Sequence, residues 1–270
     1  MRTLALLLAL FRVAAAQSFV TTDIENFWRA YDASSAETRA SALQQLYLDQ
    51  ASPGIAAYPK YYESIRENTL KVATQAPLTN LYLSRFRDLY GAARFPSVYF
   101  LIGRLRTGGT VSTSGLLIGT EVWSLGGNAD PSEIIAGVPN FYRAMGTLDK
   151  LPLIVTHELS HTQQRYPARP TLISQCLVEG GADFLTSMVS GRTINDYQSQ
   201  YAEANRDELF RRFAEDWRQT PSDYSRWLYN FQNVKDEPAD LGYVIGSAWK
   251  SAATTLHRLP IRTRQYASSF

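Results

Sequence analysis

Two of the three histidines in this chain lie four residues apart and flank a glutamate, in the string His157-Glu158-x-x-His161. On a helix, residues four apart share a face with their Cβ atoms about 5 to 6 Å apart, so both imidazoles can reach one cation. Two nitrogen ligands of this kind suit zinc. Glu158 is one residue off that face, which places its carboxylate beside the metal, where a general base is needed.

A catalytic zinc ion needs a third protein ligand and one coordination position open to water. Glu179 and Asp183 share a stripe of the next predicted helix, one turn apart. We expect Glu179 to be the third ligand. We expect Asp183 to accept a hydrogen bond from the remaining ring N–H of a zinc-bound histidine, which would fix the tautomer of that histidine. His157 is the favoured partner. A solvated or capping aspartate is the alternative for Asp183.

Small residues follow the expected third ligand directly, at Gly180 and Gly181. Glycine inside a helix costs about 1 kcal/mol relative to alanine, so we expect these residues to let this helix lie close to the helix of His157 and His161, with a loose helix end at Gly180 as the alternative. Cys176 lies one turn before Glu179 on the same stripe. We interpret it as a small buried hydrophobic residue rather than a ligand.

Three segments together resemble a known family: residues 157–164 (HELSHTQQ), 179–184 (EGGADF) and 240–246 (DLGYVIG). The first two resemble the gluzincin metallopeptidases, in which the downstream glutamate is the third zinc ligand. All three together look like a family of bacterial proteins described only as predicted zinc-dependent proteases. The similarity covers roughly residues 95 to 255.

This resemblance implies a zincin-like core, with an antiparallel edge strand above the zinc helix and substrate lying extended between them. Gly115–Gly119 is the stretch that we match to the edge strand. Main-chain pairing with such a strand tolerates varied peptide sequences. The resemblance also places Tyr243 near the site, where its hydroxyl could stabilise the tetrahedral intermediate. His257 is the competing candidate, and a packed aromatic or a surface histidine is the alternative for each.

The periodicity of the chain predicts a mainly helical α+β fold with a small antiparallel sheet beside the zinc-binding helix. With 45% hydrophobic residues, the chain can bury one sizeable core. We predict one zinc-peptidase-like domain over residues 17–270. Three or four helices are expected in its N-terminal part, and Trp217, Trp227 and Trp249 are expected in the core. The predicted parts are a helical 17–94, a zinc core 95–190 and a helical 191–270.

The N-terminus has the layout of a secretory signal peptide over residues 1–16: Arg2, an apolar run and three alanines at 14–16. An exported protein, periplasmic or secreted, is therefore expected, with an uncleaved anchor as the alternative. Removing this segment leaves 27 − 2 = 25 basic residues against 25 acidic residues. Apart from the locally basic C-terminus, this balance gives no support for a nucleic-acid partner, and no stable membrane insertion of the mature chain is predicted.

These observations predict a peptidase with one Zn²⁺ per chain that hydrolyses peptide bonds by a metal-activated water. Its expected partner is a peptide or protein substrate. Two alternatives stay open. One is a zinc-binding pseudoenzyme or scaffold of the cell envelope, and the other is a zinc amidase or esterase that acts on a non-peptide substrate.

Overall fold

The computed structural model describes residues 18–35, 37–46, 52–217, 223–231 and 233–258. Residues 1–16, the predicted signal peptide, lie outside this part. The N-terminal helices are short, because prolines and tight turns interrupt them. They are α1 (Thr22–Asp32), α2 (Arg39–Leu46), α3 (Ser52–Ala57), α4 (Pro59–Ser64), α5 (Arg66–Leu70) and α6 (Ala76–Leu89). The N-terminal part is helical as predicted, but six helices of the described chain replace the expected three or four.

A mixed sheet of four strands lies among the described residues, in the order β1-β2-β4-β3. The strands are β1 (Phe19–Val20), β2 (Val98–Leu101), β3 (Gly109–Val111) and β4 (Leu116–Gly119). β2 pairs in parallel with both β1 and β4, and only β3 and β4 are antiparallel. The α+β prediction is confirmed, but the prediction of an antiparallel sheet is wrong.

The path of the chain explains this difference. After β2, residues 102–108 lead across the end of the sheet to β3, which lies two strand positions from β2. The β3–β4 hairpin then brings β4 back between them, where β4 runs parallel to β2. Gly115–Gly119 therefore lies inside the sheet and is not its edge, as we had expected. Among the described strands the edge on this side is β3, and Thr110 and Val111 are exposed there.

The second half of the described chain is helical, with seven α-helices. They are α7 (Ser132–Gly137), α8 (Pro139–Ala144), α9 (Leu151–Gln163), α10 (Leu172–Ser190), α11 (Asp196–Ala204), α12 (Arg206–Asp216) and α13 (Leu241–Arg258). The long α10 begins with a capping box between Thr171 and Ser174 and ends at Gly191, whose φ of 71° suits glycine.

Two hydrophobic clusters hold these helices together. The larger one joins the N-terminal helices, the sheet and α9, whose residues 151–160 are all buried. The smaller one lies between α10, α12 and α13 around Trp227, which has no exposed surface. Trp217 packs against it as predicted, whereas Trp249 is 46% exposed, so the prediction of a core position for Trp249 is wrong.

A buried carboxylate fixes the crossing segment that leads to β3. Glu121 follows β4 and accepts hydrogen bonds from the backbone N–H groups of Gly103 and Leu105, at 2.8 and 3.1 Å. Leu105 has a φ of 57°, a conformation that side chains rarely adopt. Burial raises the pKa of Glu121 to about 7, and the backbone donors oppose this shift. Glu121 therefore ties the ends of β2 and β4 to the segment that places β3.

We predict that Glu121 makes the protein less stable as the pH rises from about 4.5 to 7. In this window the unfolded chain loses the proton while the folded chain keeps it, which lowers the free energy of unfolding by on the order of 3 kcal/mol. Glu121→Gln cannot titrate. Urea unfolding of both proteins in chelator should show the wild type losing stability relative to the variant between pH 5 and pH 8. Parallel pH profiles would contradict this role for Glu121.

Candidate metal centre

Helix α9 carries three polar side chains into a buried position, namely His157, Glu158 and His161. Such a buried helix needs internal partners for its polar groups, and Thr156 and Ser160 donate their hydroxyls to carbonyls one turn back, at 2.8 and 2.9 Å. The two imidazoles lie on the same face of the helix as predicted, with their ring planes nearly perpendicular and their Nε2 atoms 3.0 Å apart. The helical spacing of the motif therefore gives the paired arrangement directly.

Helix α10 lies beside α9 and brings Glu179 to the two imidazoles. Glu179 Oε2 lies 3.5 Å from His157 Nε2 and 3.2 Å from His161 Nε2. All three side chains are buried, and their ligand atoms lie within 4.8 Å of one another. This buried group can hold a metal ion. It is the set of three residues that the sequence predicts as ligands.

The opposite ring nitrogen of each histidine has a hydrogen-bond acceptor. Asp183 Oδ1 lies 2.8 Å from Nδ1 of His157, the histidine that we expected Asp183 to contact. The side-chain amide of Asn195 donates a hydrogen bond to the other oxygen of Asp183 at 2.6 Å. Gln164 Oε1 lies 2.8 Å from His161 Nδ1, and its amide donates to the carbonyl of Val178 at 2.7 Å. With Nδ1–H donated to these oxygens, both Nε2 atoms keep a lone pair for a cation.

The charges in this group favour a cation between the histidines and the carboxylates. Burial opposes protonation of His157, but hydrogen bonds with Asp183 and Glu179 outweigh it and raise the pKa of the imidazole. Burial also opposes ionisation of Glu179, but the two histidines lower the pKa of its carboxyl well below the usual range. A proton and a metal ion therefore compete for the same position, between the histidines and the negatively charged carboxylates.

Glu158 is not one of the three proposed ligands, and its side chain lies against Gly109 of the edge strand β3. A Cβ atom on Gly109 of β3 would lie 2.7 Å from both Cγ and Oε1 of Glu158, so only glycine leaves room for this carboxylate. Burial raises the pKa of Glu158, the two histidines oppose the shift, and Glu179 adds to it. The position beside the cluster fits the predicted place of a general base.

A cavity of about 560 Å³ opens over this cluster. β3 forms one wall, and apolar side chains such as Ile154 and Phe231 contribute to the rest. Its size lies within the usual range for sites of small ligands. The proposed ligands and Glu158 line the cavity, so a group bound there can reach them.

Tyr243 and His257 are the two candidates for stabilising the oxyanion, and of these two the structure describes only the side chain of Tyr243. The ring of Tyr243 on α13 stacks on His157 with centroids 6.1 Å apart, and Tyr243 lines the cavity. Burial raises the pKa of its hydroxyl well above the usual range, so the hydroxyl keeps its proton. The side chain of His257 lies outside the described residues.

Cys176 is buried against α13 and is not in the metal-binding group, which supports the packing interpretation.

Four further residues of the site were not assigned from the sequence: Gln164, Asn195, Tyr166 and Tyr229. Gln164 lies three residues after His161 in the same motif, so helical spacing is a signal that could have identified it. The other three come from loops, and only the folded chain brings them to the cavity. Tyr229 donates a hydrogen bond to Glu179, 50 residues away in sequence.

Comparison of the chain with known protein families, curated proteins and solved structures found no match. The description of the site therefore depends on its own geometry. Across the described residues, no helix combines the length and the apolar character that a membrane span requires.

We predict that the protein binds one divalent metal ion per chain through this group. His161→Ala and Glu179→Ala each remove a ligand from a site with three, so both variants should lose the bound metal. Glu158→Gln is the matched control, because it alters an adjacent carboxylate and keeps all three ligands. Elemental analysis after loading with Zn²⁺ and gel filtration measures the metal content. Full occupancy in either alanine variant would show that the ion binds elsewhere.

Proposed function

We propose that this protein is an exported zinc-dependent peptidase of the gluzincin type, which hydrolyses peptide bonds with a metal-activated water. The observation that carries the proposal is the spacing of the three proposed ligand atoms around one point. The proposal of export depends on the sequence of residues 1–16, which has the pattern of a signal peptide.

The distances between the donor atoms fit a tetrahedral zinc site. Ligands about 2.0 to 2.1 Å from a tetrahedral ion lie about 3.3 Å from one another. The three separations among His157 Nε2, His161 Nε2 and Glu179 Oε2 are 3.0, 3.2 and 3.5 Å. Two imidazoles and one carboxylate are also the ligand set of a class of catalytic zinc sites that keep a fourth position for water.

The remaining side chains supply the other parts of a hydrolytic mechanism. A zinc ion in this group would lower the pKa of water and polarise a carbonyl. Glu158 is ionised when it takes the proton of the attacking water and then transfers it to the leaving amine. Tyr243, against His157, is our proposed donor to the oxyanion.

The edge strand supports a peptide as the substrate. β3 lies at the end of the sheet and passes within contact of Glu158. An extended peptide can add to such an edge through main-chain hydrogen bonds, which would hold its carbonyl groups beside Glu158. The absence of a side chain at Gly109 allows this close approach.

We predict that Glu158→Gln slows hydrolysis strongly without loss of zinc. Removal of the proton acceptor should lower the rate by on the order of 10²- to 10⁴-fold, because general base catalysis contributes about that much. Digestion of a peptide library by the zinc-loaded protein, followed by mass spectrometry, gives the rates. Zinc content is measured in the same samples of wild type and variant.

Two results would replace this proposal with one of the alternatives. If the zinc-loaded protein cleaves no peptide but hydrolyses small esters or cell-wall fragments, an amidase or esterase is the better assignment. If Glu158→Gln keeps the full biological activity of the protein, the zinc site serves a scaffold.

We also predict that Gly109→Ala impairs catalysis more than it impairs metal binding. The added methyl group would overlap Glu158 and displace its carboxylate, and a displacement of about 1 Å can cost roughly 100-fold in rate. The control is Gly91→Ala, because a Cβ atom there contacts nothing within 4 Å. The rate of peptide cleavage and the zinc content are compared for both variants. Wild-type rates in Gly109→Ala would refute the placement of Glu158 against β3.

A further inference from the structure

The two oxygens of the Glu179 carboxylate have different partners. Oε2 faces the histidines, whereas Oε1 accepts a hydrogen bond from the hydroxyl of Tyr229 at 2.6 Å. The amide of Gln175 donates to the same Oε1 at 3.2 Å and to the Tyr229 oxygen at 2.8 Å. Both interactions hold Oε1 on the side away from the imidazoles, so one oxygen alone is directed at the metal position.

We propose that Tyr229 is a positioning residue that makes Glu179 a ligand through one oxygen only. This inference rests on the proposed metal centre. A carboxylate that binds an ion through both oxygens occupies two coordination positions. By engaging Oε1, Tyr229 and Gln175 keep the second position free, and a catalytic site needs that position for water or substrate.

The backbone around Tyr229 is held in a conformation that directs its hydroxyl at Glu179. Tyr229 has a φ of 56°, a left-handed conformation that residues other than glycine rarely adopt. Asn230 and Asp240 fix the segment through reciprocal hydrogen bonds between backbone N–H and side-chain oxygen, at 3.3 and 2.8 Å. On the other side, Gly242 N–H donates to the carbonyl of the buried Trp227 at 2.8 Å. Strain that the surroundings maintain in this way is typical of functional positions.

The same interactions give the segment 240–246 a second role, beside the one proposed for Tyr243. Its first residues, Asp240 and Gly242, anchor the loop that carries Tyr229. Its last residue, Gly246, packs directly on the backbone of α10 next to Gly180. The start of α13 therefore places both Glu179 and the tyrosine that orients it.

Cobalt substitution tests this inference, because visible absorption of Co²⁺ weakens as its coordination number rises. The proteins to compare are wild type, Tyr229→Phe and the double variant Gln175→Leu/Tyr229→Phe. We expect the visible band to lose intensity in both variants, and most in the double variant, as Oε1 becomes free to bind. Zinc affinity, measured by chelator competition, should fall by roughly 10- to 100-fold.

Tyr90→Phe is the matched control, because Tyr90 is 48% exposed and Tyr229 is 53% exposed, and Tyr90 is not part of the cavity lining. It should keep the wild-type band and affinity, and thermal unfolding checks that every variant folds. A wild-type band in both Tyr229 variants overturns the inference and leaves the metal centre intact. If wild-type protein binds neither Co²⁺ nor Zn²⁺, the proposed function fails and this inference fails with it.

Discussion

The convergence of three electron-pair donors, largely buried at the floor of a cavity, is the constraint that organises this structure. His157 Nε2, His161 Nε2 and Glu179 Oε2 lie 3.0 to 3.5 Å apart. In a medium of low dielectric constant such a group is stable only around a positive charge, either a proton or a metal ion. Asp183 adds negative charge behind His157 and strengthens this preference.

Close backbone contacts between helices set the position of the third donor. A Cβ atom on Gly180 would overlap the backbone of α13 at Tyr243 and Gly246, and one on Gly246 would overlap the carbonyl of Cys176. α10 and α13 therefore approach more closely than side chains allow, which accounts for glycines inside both helices despite their cost. The helix that requires Gly180 is thus α13, and not α9 as we had predicted from the sequence. The contact fixes Glu179 relative to the loop that carries Tyr229, and a change in helix spacing would disturb both.

Local periodicity explains which parts of the site were predictable. Glu179 and Asp183 follow the paired histidines on the next helix, and one turn of helix places them on a common face, so the sequence suffices for them. The strand within Gly115–Gly119 was also predictable from its apolar run, whereas β1 (Phe19–Val20) and β3 (Gly109–Val111) were not predicted as strands. Strand partners were not predictable, because pairing depends on the path of the whole chain. For this reason the prediction that Gly115–Gly119 forms the edge of the sheet is wrong, and β3 lies there instead. Tyr229 gave no signal, since it reaches Glu179 only through a loop held by the start of α13.

X-ray absorption at the zinc edge of the loaded protein tests the central claim most directly. The three-donor arrangement predicts a first coordination sphere of nitrogen and oxygen atoms at about 2.0 to 2.1 Å, with the multiple-scattering pattern of two imidazoles. A sulfur neighbour at about 2.3 Å would place the ion at Cys176 instead. A sphere with one imidazole or none would show that α9 and α10 do not jointly bind the ion, and the account would be wrong.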